Sequence, residues 1–282
     1  MSKLTKAQIK AHDEAVALLQ KERLSEDDAW TVLEHWKESA THINSRVGAF
    51  FTPVGLARDF AIEVSGNRII DLCAGIGALS FMVHQRSLWG GGPGPEIVCV
   101  ELNQDYIAVG QKVLPQATWI QADIFNLPAD LGHFDCAISN PPFGSTKRSG
   151  NAPRYSGRSF DLHVIDIASD LADYGTFIVP QMSAPFEYSG RHSYQLRSSD
   201  TYKAFHRATA IELTASCGID CSVYRNDWNG VAPAVEVVLA DFVEARARRT
   251  PPRADHIEDM LDMVPQSERL PDQMDLFKEA AE

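Results

Sequence analysis

Between residues 47 and 245 the apolar positions fall into short β-like runs separated by stretches with helical spacing. The runs cover residues 68–72, 97–100, 118–121, 134–139, 176–179, 211–214 and 235–240. Strand, helix and strand at this rhythm predict an α/β domain whose sheet is mostly parallel, with helices on both faces. The last two runs have no clear helix between them, so an antiparallel pair is expected there. Upstream, residues 1–46 predict a helical segment: Ala11, Ala15, Leu18 and Leu19 recur at helical spacing, and Ser25-Glu-Asp-Asp reads as a capping box ahead of Trp30, Leu33 and Trp36. Gly90-Gly-Gly-Pro-Gly-Pro95 is a surface loop by composition. Residues 246–282, beginning Arg-Ala-Arg-Arg-Thr-Pro-Pro and turning acidic, predict a linker and a poorly ordered tail.

The 282 residues are 44% hydrophobic and 23% charged, which favours a packed core over disorder. No apolar run approaches the roughly 20 residues that span a bilayer, and no apolar stretch follows the N-terminal lysines as a secretory signal requires. A soluble, cytoplasmic protein is expected. The five cysteines include no C-x-x-C pair, and the nine histidines show no ligand spacing, so neither a disulfide framework nor a metal site is expected. Cys73, Cys99 and Cys136 lie in or beside apolar runs, as small buried hydrophobes do. The net charge of −12 argues against a uniformly basic, nucleic-acid-coating surface, but the charge is uneven: residues 254–282 hold nine acids and two bases, whereas residues 141–160 hold Lys147, Arg148, Arg154 and Arg158 and no acid. A local anionic partner is therefore compatible with the sum.

Three strands in succession end in an acid. The first runs into Asp71-Leu-Cys-Ala-Gly-Ile-Gly77, an acid and a glycine turn that opens a helix; the second ends at Glu101; Asp123 follows the third. Acids at the carboxyl edges of adjacent parallel strands define one crevice, where a nucleoside can lie and a strand-terminal acid can take ribose hydroxyls. Any one of these acids alone could simply terminate its strand. The fourth run ends in Asn140-Pro141-Pro142-Phe143. Two prolines fix a turn without backbone N–H groups, leaving the Asn140 side-chain oxygen and the Pro141 carbonyl as acceptors for a planar amine, with Phe143 as a flat apolar face.

With these motifs the chain resembles the S-adenosylmethionine-dependent amino-methyltransferases, and most closely the N6-adenine DNA methyltransferases of gamma motif order. Gly48-Ala-Phe-Phe-Thr-Pro53 is similar to the segment that in that family precedes the glycine turn and closes over the cofactor. The resemblance spans about residues 46–243 and implies a Rossmann-like class I methyltransferase fold. It further implies that Phe51, Thr52 and Pro53 contact S-adenosylmethionine, that Asp71 and the backbone around Ala74, Gly75 and Gly77 hold its methionyl part, that Glu101 holds its ribose and Asp123 the amine of its adenine. Asn140, Pro141, Pro142 and Phe143 would bind and activate a flipped-out target base. Two departures stand out: the glycine turn reads Cys-Ala-Gly-Ile-Gly, and no large target-recognition domain follows residue 243 within this sequence. Other acceptors open to the same motif are an RNA base and a protein glutamine side chain; a non-catalytic binding module is a third reading, which the intact Asn140–Phe143 motif disfavours.

Two surfaces are candidates for nucleic-acid contact. Lys147, Arg148, Arg154 and Arg158 lie with Tyr155 in a Gly/Ser-rich stretch directly after the motif. Residues 186–207 interleave Phe186, Tyr188, Tyr194, Tyr202 and Phe205 with Arg191, Arg197, Lys203 and Arg207, which reads equally as an amphipathic segment packed on the domain. In the tail, Gln273-Met-Asp-Leu276-Phe277 resembles the peptide by which bacterial replication and repair proteins dock on the sliding clamp; the alternative is a terminal turn packing back on the domain.

Overall fold

The computed structural model describes residues 5–37, 51–228 and 232–250. The expected clamp-docking residues Gln273, Leu276 and Phe277, and most of the predicted tail, lie outside the described residues. The chain divides into two compact units, residues 1–246 and 247–282.

The first unit opens with two capped helices. Thr5 and Ser25 each close a capping box at the start of α1 (Lys6–Leu18) and α2 (Glu26–His35), so two orphan N–H groups are satisfied reciprocally at each end. After α3 (Val54–Phe60) the chain alternates β1 (Arg68–Leu72), α4 (Ala78–Trp89), β2 (Glu96–Glu101), α5 (Gln104–Val113), β3 (Thr118–Gln121), β4 (Phe134–Ser139), α6 (Phe160–Ala168) and β5 (Ala172–Pro180). A small hairpin, β6 (Phe186–Glu187) and β7 (Gln195–Leu196), precedes α7 (Asp200–Thr209), β8 (Leu213–Ala215) and β9 (Val235–Asp241). Seven strands form one sheet in the order β3-β2-β1-β4-β5-β9-β8; the first five run parallel, and β9 is antiparallel to both its neighbours. The hairpin is a separate two-stranded sheet.

Side chains of period two send alternate residues to opposite faces. Ile69, Ile97, Cys99, Cys136 and Ile138 join one core with α1–α5, while Ile70, Val98, Val100, Ala137 and Phe177 join the other with α6 and α7. A one-residue slip of any central strand would exchange these two sets, so burial on both faces fixes the register. That register matters for the site. Asp71 pairs with Cys99 and Ile138, and Leu72 with Val100, so Glu101 lies one residue and Asn140 two residues beyond the last positions paired with β1, on the same edge. Ser139 donates its buried hydroxyl to the Leu72 carbonyl, Ala74 N–H donates to Val100 O at 3.0 Å, and Ala122 N–H donates to Glu101 O at 3.1 Å, which ties neighbouring strand ends together.

The N-terminal helices pack into this unit. Trp36, at the end of α2, meets Phe51 and Tyr106 with ring centroids 5.5 and 6.0 Å away. No helix among the described residues is long and apolar enough to cross a membrane.

Two expectations for the basic stretch are corrected by the fold. Arg154 is an internal tie: its Nε donates to Asp166 Oδ1 at 2.7 Å and its guanidinium also meets Asp170 at 2.6 Å, while the buried Asp166 carboxylate accepts from the Arg154 and Tyr155 backbone N–H groups as well. Tyr155 is buried between His163 and Phe205 rather than presented for stacking. Arg154→Ala should therefore lower unfolding free energy by about 2–4 kcal/mol, since the buried Asp166 charge loses its cation. Urea titration measures this. An unchanged midpoint together with weakened nucleic-acid binding would return Arg154 to the surface role.

Candidate active site

The carboxyl edge of β1, β2, β3 and β4 opens on a cleft of about 310 Å³. Of the residues singled out in the sequence, Phe51, Gly75, Glu101, Asp123, Asn140, Pro142, Lys147 and Arg148 line it. A smaller space of about 30 Å³ shares Phe51, Cys73, Gly75 and Asn140 with the cleft, and Thr52, Asp71 and Ala74 complete its wall. Pro53 lines a separate cavity on the far side of Phe51, beside Leu33 and Trp228. Gly77, Pro141, Phe143 and Arg158 line neither space of the site: Pro141 is buried, Phe143 packs on the core, and Arg158 is exposed.

The glycine turn is shaped by what surrounds it. Gly75 has φ of 58°, and a Cβ there would stand 3.2 Å from the Phe51 ring. Gly77 caps α4 with φ of 87°, and its Cβ would meet Trp119 at 3.1 Å. Both positions call for glycine on conformation and on space.

Each acid has its own environment. Glu101 Oε2 accepts from Gly75 N–H at 2.8 Å, and Oε1 accepts from Leu102 and Asn103 N–H at 2.8 and 2.9 Å. Burial pushes its carboxyl up, and these three donors pull the other way. Asp123 Oδ1 accepts from Phe125 N–H at 2.9 Å, which fixes that carboxylate against its own loop. Asp71 is the least satisfied. Its Oδ2 accepts from the Ser80 hydroxyl at 2.6 Å, but its buried Oδ1 has no partner among the described residues. Burial raises its pKa to about 7; the Ser80 bond lowers it and the Glu101 charge raises it further. Cys73 lies among these acids with φ of 61°, and burial together with their charges drives its thiol well above the ordinary value, so it stands as a neutral wall.

Asn140 closes the other side. Its Nδ2 donates to Thr52 Oγ1 at 2.8 Å, across 88 residues of sequence. The segment holding Phe51 and Thr52 thereby touches both the glycine turn and the Asn-Pro-Pro-Phe motif.

Sequence reasoning missed Tyr106, Ile124 and Phe125 in the cleft wall. Ile124 and Phe125 directly follow Asp123, and that placement was the available signal. Tyr106 offered none, being one of several apolar positions on α5. Among the described residues no group of His, Cys, Asp and Glu side chains could hold a metal ion.

No protein-family model and no curated protein matches the chain. Solved structures do match. A Listeria monocytogenes protein assigned to the class I S-adenosylmethionine-dependent methyltransferases is 13% identical, with 84% of this chain and 81% of that one covered and a TM-score of 0.52. An RNA methyltransferase assignment from Pyrococcus horikoshii is 15% identical over 81% of this chain and 97% of that one, with a TM-score of 0.46. The methyltransferase subunit of a type I restriction-modification system from Streptococcus thermophilus is 14% identical over 70% of this chain, which spans 46% of that subunit, with a TM-score of 0.49. At these identities the likeness is one of fold, and the fold is that of the class I S-adenosylmethionine-dependent methyltransferases.

Proposed function

We propose that this protein transfers a methyl group from S-adenosylmethionine to the exocyclic N6 of a flipped-out adenine in DNA. The residues of the cleft fit that cofactor on their own chemistry. The cleft bears Glu101 and Asp123 and the smaller space beside it Asp71, a set of acids that suits a ligand with cationic groups, and the buried, unpartnered Asp71 Oδ1 is an acceptor in need of a donor. Asp71 and the turn at Ala74, Gly75 and Gly77 would hold the methionyl part, Glu101 the ribose hydroxyls, Asp123 the adenine amine, and Phe51 would cover them. The bound cofactor supplies an electrophilic methyl group on a positively charged sulfur.

The observation that carries the reading is the position of Asn140, in the wall shared by the cleft and the smaller space beside it. Its bond to Thr52 uses the amide N–H, which turns Oδ1 to the task of accepting. The adenine amine is a poor nucleophile because its lone pair is delocalised into the ring. Hydrogen bonds to Asn140 Oδ1 and the Pro141 carbonyl draw that nitrogen toward tetrahedral geometry and offset the positive charge that grows as the new N–C bond forms. The displaced proton leaves to solvent. A base must leave the stack to reach these groups; the motif would assign Phe143 as its stacking face, and that ring packs on the core and lines neither space in this structure.

The direct test is incubation with radiolabelled S-adenosylmethionine and, separately, DNA, RNA and protein acceptors, followed by nucleoside and amino-acid analysis. N6-methyladenine in DNA is expected; label confined to RNA or glutamine would replace the substrate in this reading.

Asn140→Ala should cut the transfer rate on the order of a hundredfold while leaving cofactor affinity nearly intact, as for loss of a transition-state acceptor. Thr52→Val, which removes the acceptor that orients the amide, should lower kcat in the same direction, and Thr52→Ser should restore it. Single-turnover rates and calorimetric cofactor affinity separate the two effects; equal rates for Thr52→Val and the parent would dismiss the orienting bond.

Asp71 generates a pH prediction. Its folded pKa of about 7 lies above the ordinary 3.8, so the folded protein holds this proton more tightly than the unfolded chain does. The contribution is full below pH 3.8 and is lost as pH rises toward 7. Asp71→Asn should flatten that decline in thermal denaturation. A cationic ligand beside Asp71 favours its carboxylate, so cofactor binding near pH 6 should release a proton from the parent protein and less from Asp71→Asn. Calorimetry in buffers of different ionisation enthalpy reads the difference, and equal release from both would separate Asp71 from the cofactor's cation.

A further inference from the structure

The β6–β7 hairpin stands outside the main sheet, and nothing in the cleft requires it. Ser139 pairs with Phe177, so Asn140 and the end of β5 at Pro180 lie on one edge, and the hairpin leaves from that edge. It is firmly built. The buried Glu236 carboxylate accepts from Gln181 Nε2 at 2.8 Å, from the Tyr188 and Ser189 N–H groups at 2.9 Å, and from Ser189 Oγ at 2.7 Å. Arg197 N–H donates to Pro185 O at 2.8 Å across the far side.

This rigid support presents side chains that a solvated loop does not need. Leu196 is 82% exposed, Met182 at its base 73%, and Tyr194 47%. Tyr194 stacks on the buried Phe186 with ring centroids 5.4 Å apart, and Phe186 pairs with Leu196 across the hairpin, which brings Tyr194 and Leu196 to one face. Beside them a single carboxylate, Glu187, holds two arginines, Arg191 and Arg197, which leaves the hairpin one positive charge in excess. The exposed Lys203 and Arg207 follow on α7, and the contact of Tyr155 with Phe205 joins α7 to the loop that carries Lys147 and Arg158. Residues 141–207 hold eight basic and six acidic side chains in a chain of net charge −12. Of the two readings of residues 186–207, packing on the domain holds for Phe186, Tyr202 and Phe205, which are buried; the exposed aromatic is Tyr194.

We infer that the β6–β7 hairpin is the duplex-contacting element of this site. Leu196 and Tyr194 wedge into the base stack beside the extruded adenine, and Arg191 and Arg197 meet the flanking phosphates. The inference rests on the DNA reading above. A gap in a base stack accepts an apolar side chain, and phosphates on either side of it attract cations; this apolar tip rimmed by arginines matches both demands. An apolar protein partner would account for Leu196 and Met182 but not for the positive rim.

The test uses the full chain with Leu196→Ser, Arg197→Gln and, as a control far from this edge, Leu88→Ser on α4. Leu196→Ser should lower kcat/KM at least tenfold on duplex DNA and less than about twofold on an adenine in single-stranded DNA, where no stack needs opening. Arg197→Gln should reduce the slope of log affinity against log salt by about 1, as for one lost phosphate contact. Leu88→Ser should behave as the parent, and cofactor affinity should be the same in all four proteins. If the parent methylates DNA and Leu196→Ser and Arg197→Gln match it on duplex and in salt dependence, the hairpin inference is overturned and the catalytic reading stands. If the parent labels RNA or protein but not DNA, both fall together.

Discussion

One carboxylate organises the cleft. Glu101 ends β2 and accepts three backbone N–H groups, one from the glycine turn after β1 and two from the chain that starts α5. Charge-assisted bonds of this kind are stronger than neutral ones, and three of them oppose the desolvation that burial imposes on Glu101. Their geometric consequence is larger than their energy. The turn whose Gly75 N–H reaches Glu101 has a positive φ at Gly75, where a Cβ would stand only 3.2 Å from the Phe51 ring. Phe51 then meets Tyr106 with centroids 5.0 Å apart, and Trp36 closes behind both. The N-terminal helices thus reach the cleft wall through the aromatic contacts of Trp36 with Phe51 and Tyr106.

Much of this is legible in the chain. The runs at 68–72, 118–121 and 134–139 coincide with β1, β3 and β4; for β1 and β4 this is because central strands of a parallel sheet covered on both faces are near-continuous apolar runs, whereas β3 is a short, partly exposed edge strand. The acids at those ends can be read for the same reason. Strand β5 begins at Ala172, four residues before the expected run, because β4 pairs with it from Ala172 and β9 from Tyr174, where no large apolar alternation marks the strand. The two-residue strands β6 and β7 carry no periodicity at all. Arg154 is misread from composition, which shows a cation without its partner: Asp166 lies twelve residues on, at the far end of α6, and only the fold brings it back. Tyr106 is missed for a similar reason, since helical spacing places it toward the core without saying that the core opens there.

The charges of the site are arranged by depth. Asp71, Glu101 and Asp123 lie along the strand ends, while Lys147 and Arg148 belong to the loop that follows β4. Arg148 is held by Asn151 Oδ1 and the Gly157 carbonyl, so its charge is steered by neutral acceptors rather than cancelled by an acid. An acidic interior with a basic surround separates two kinds of ligand: a small cationic one is drawn inward, and a polyanion is kept at the rim. The overall charge of −12 hides this division.

The bond between Asn140 and Thr52 gives that division a mechanical consequence. Thr52 is buried and adjoins Phe51 in the cleft wall, so the acceptor that orients the Asn140 amide belongs to the same segment as a cleft-lining ring. Ser139, one residue before Asn140, is pinned to the Leu72 carbonyl. The amide is therefore hinged between a fixed strand end and a segment that belongs to the cofactor side. Under the proposed reaction this makes the orientation of the base-binding oxygen depend on the 51–53 segment, and it ties the two halves of the site into one unit.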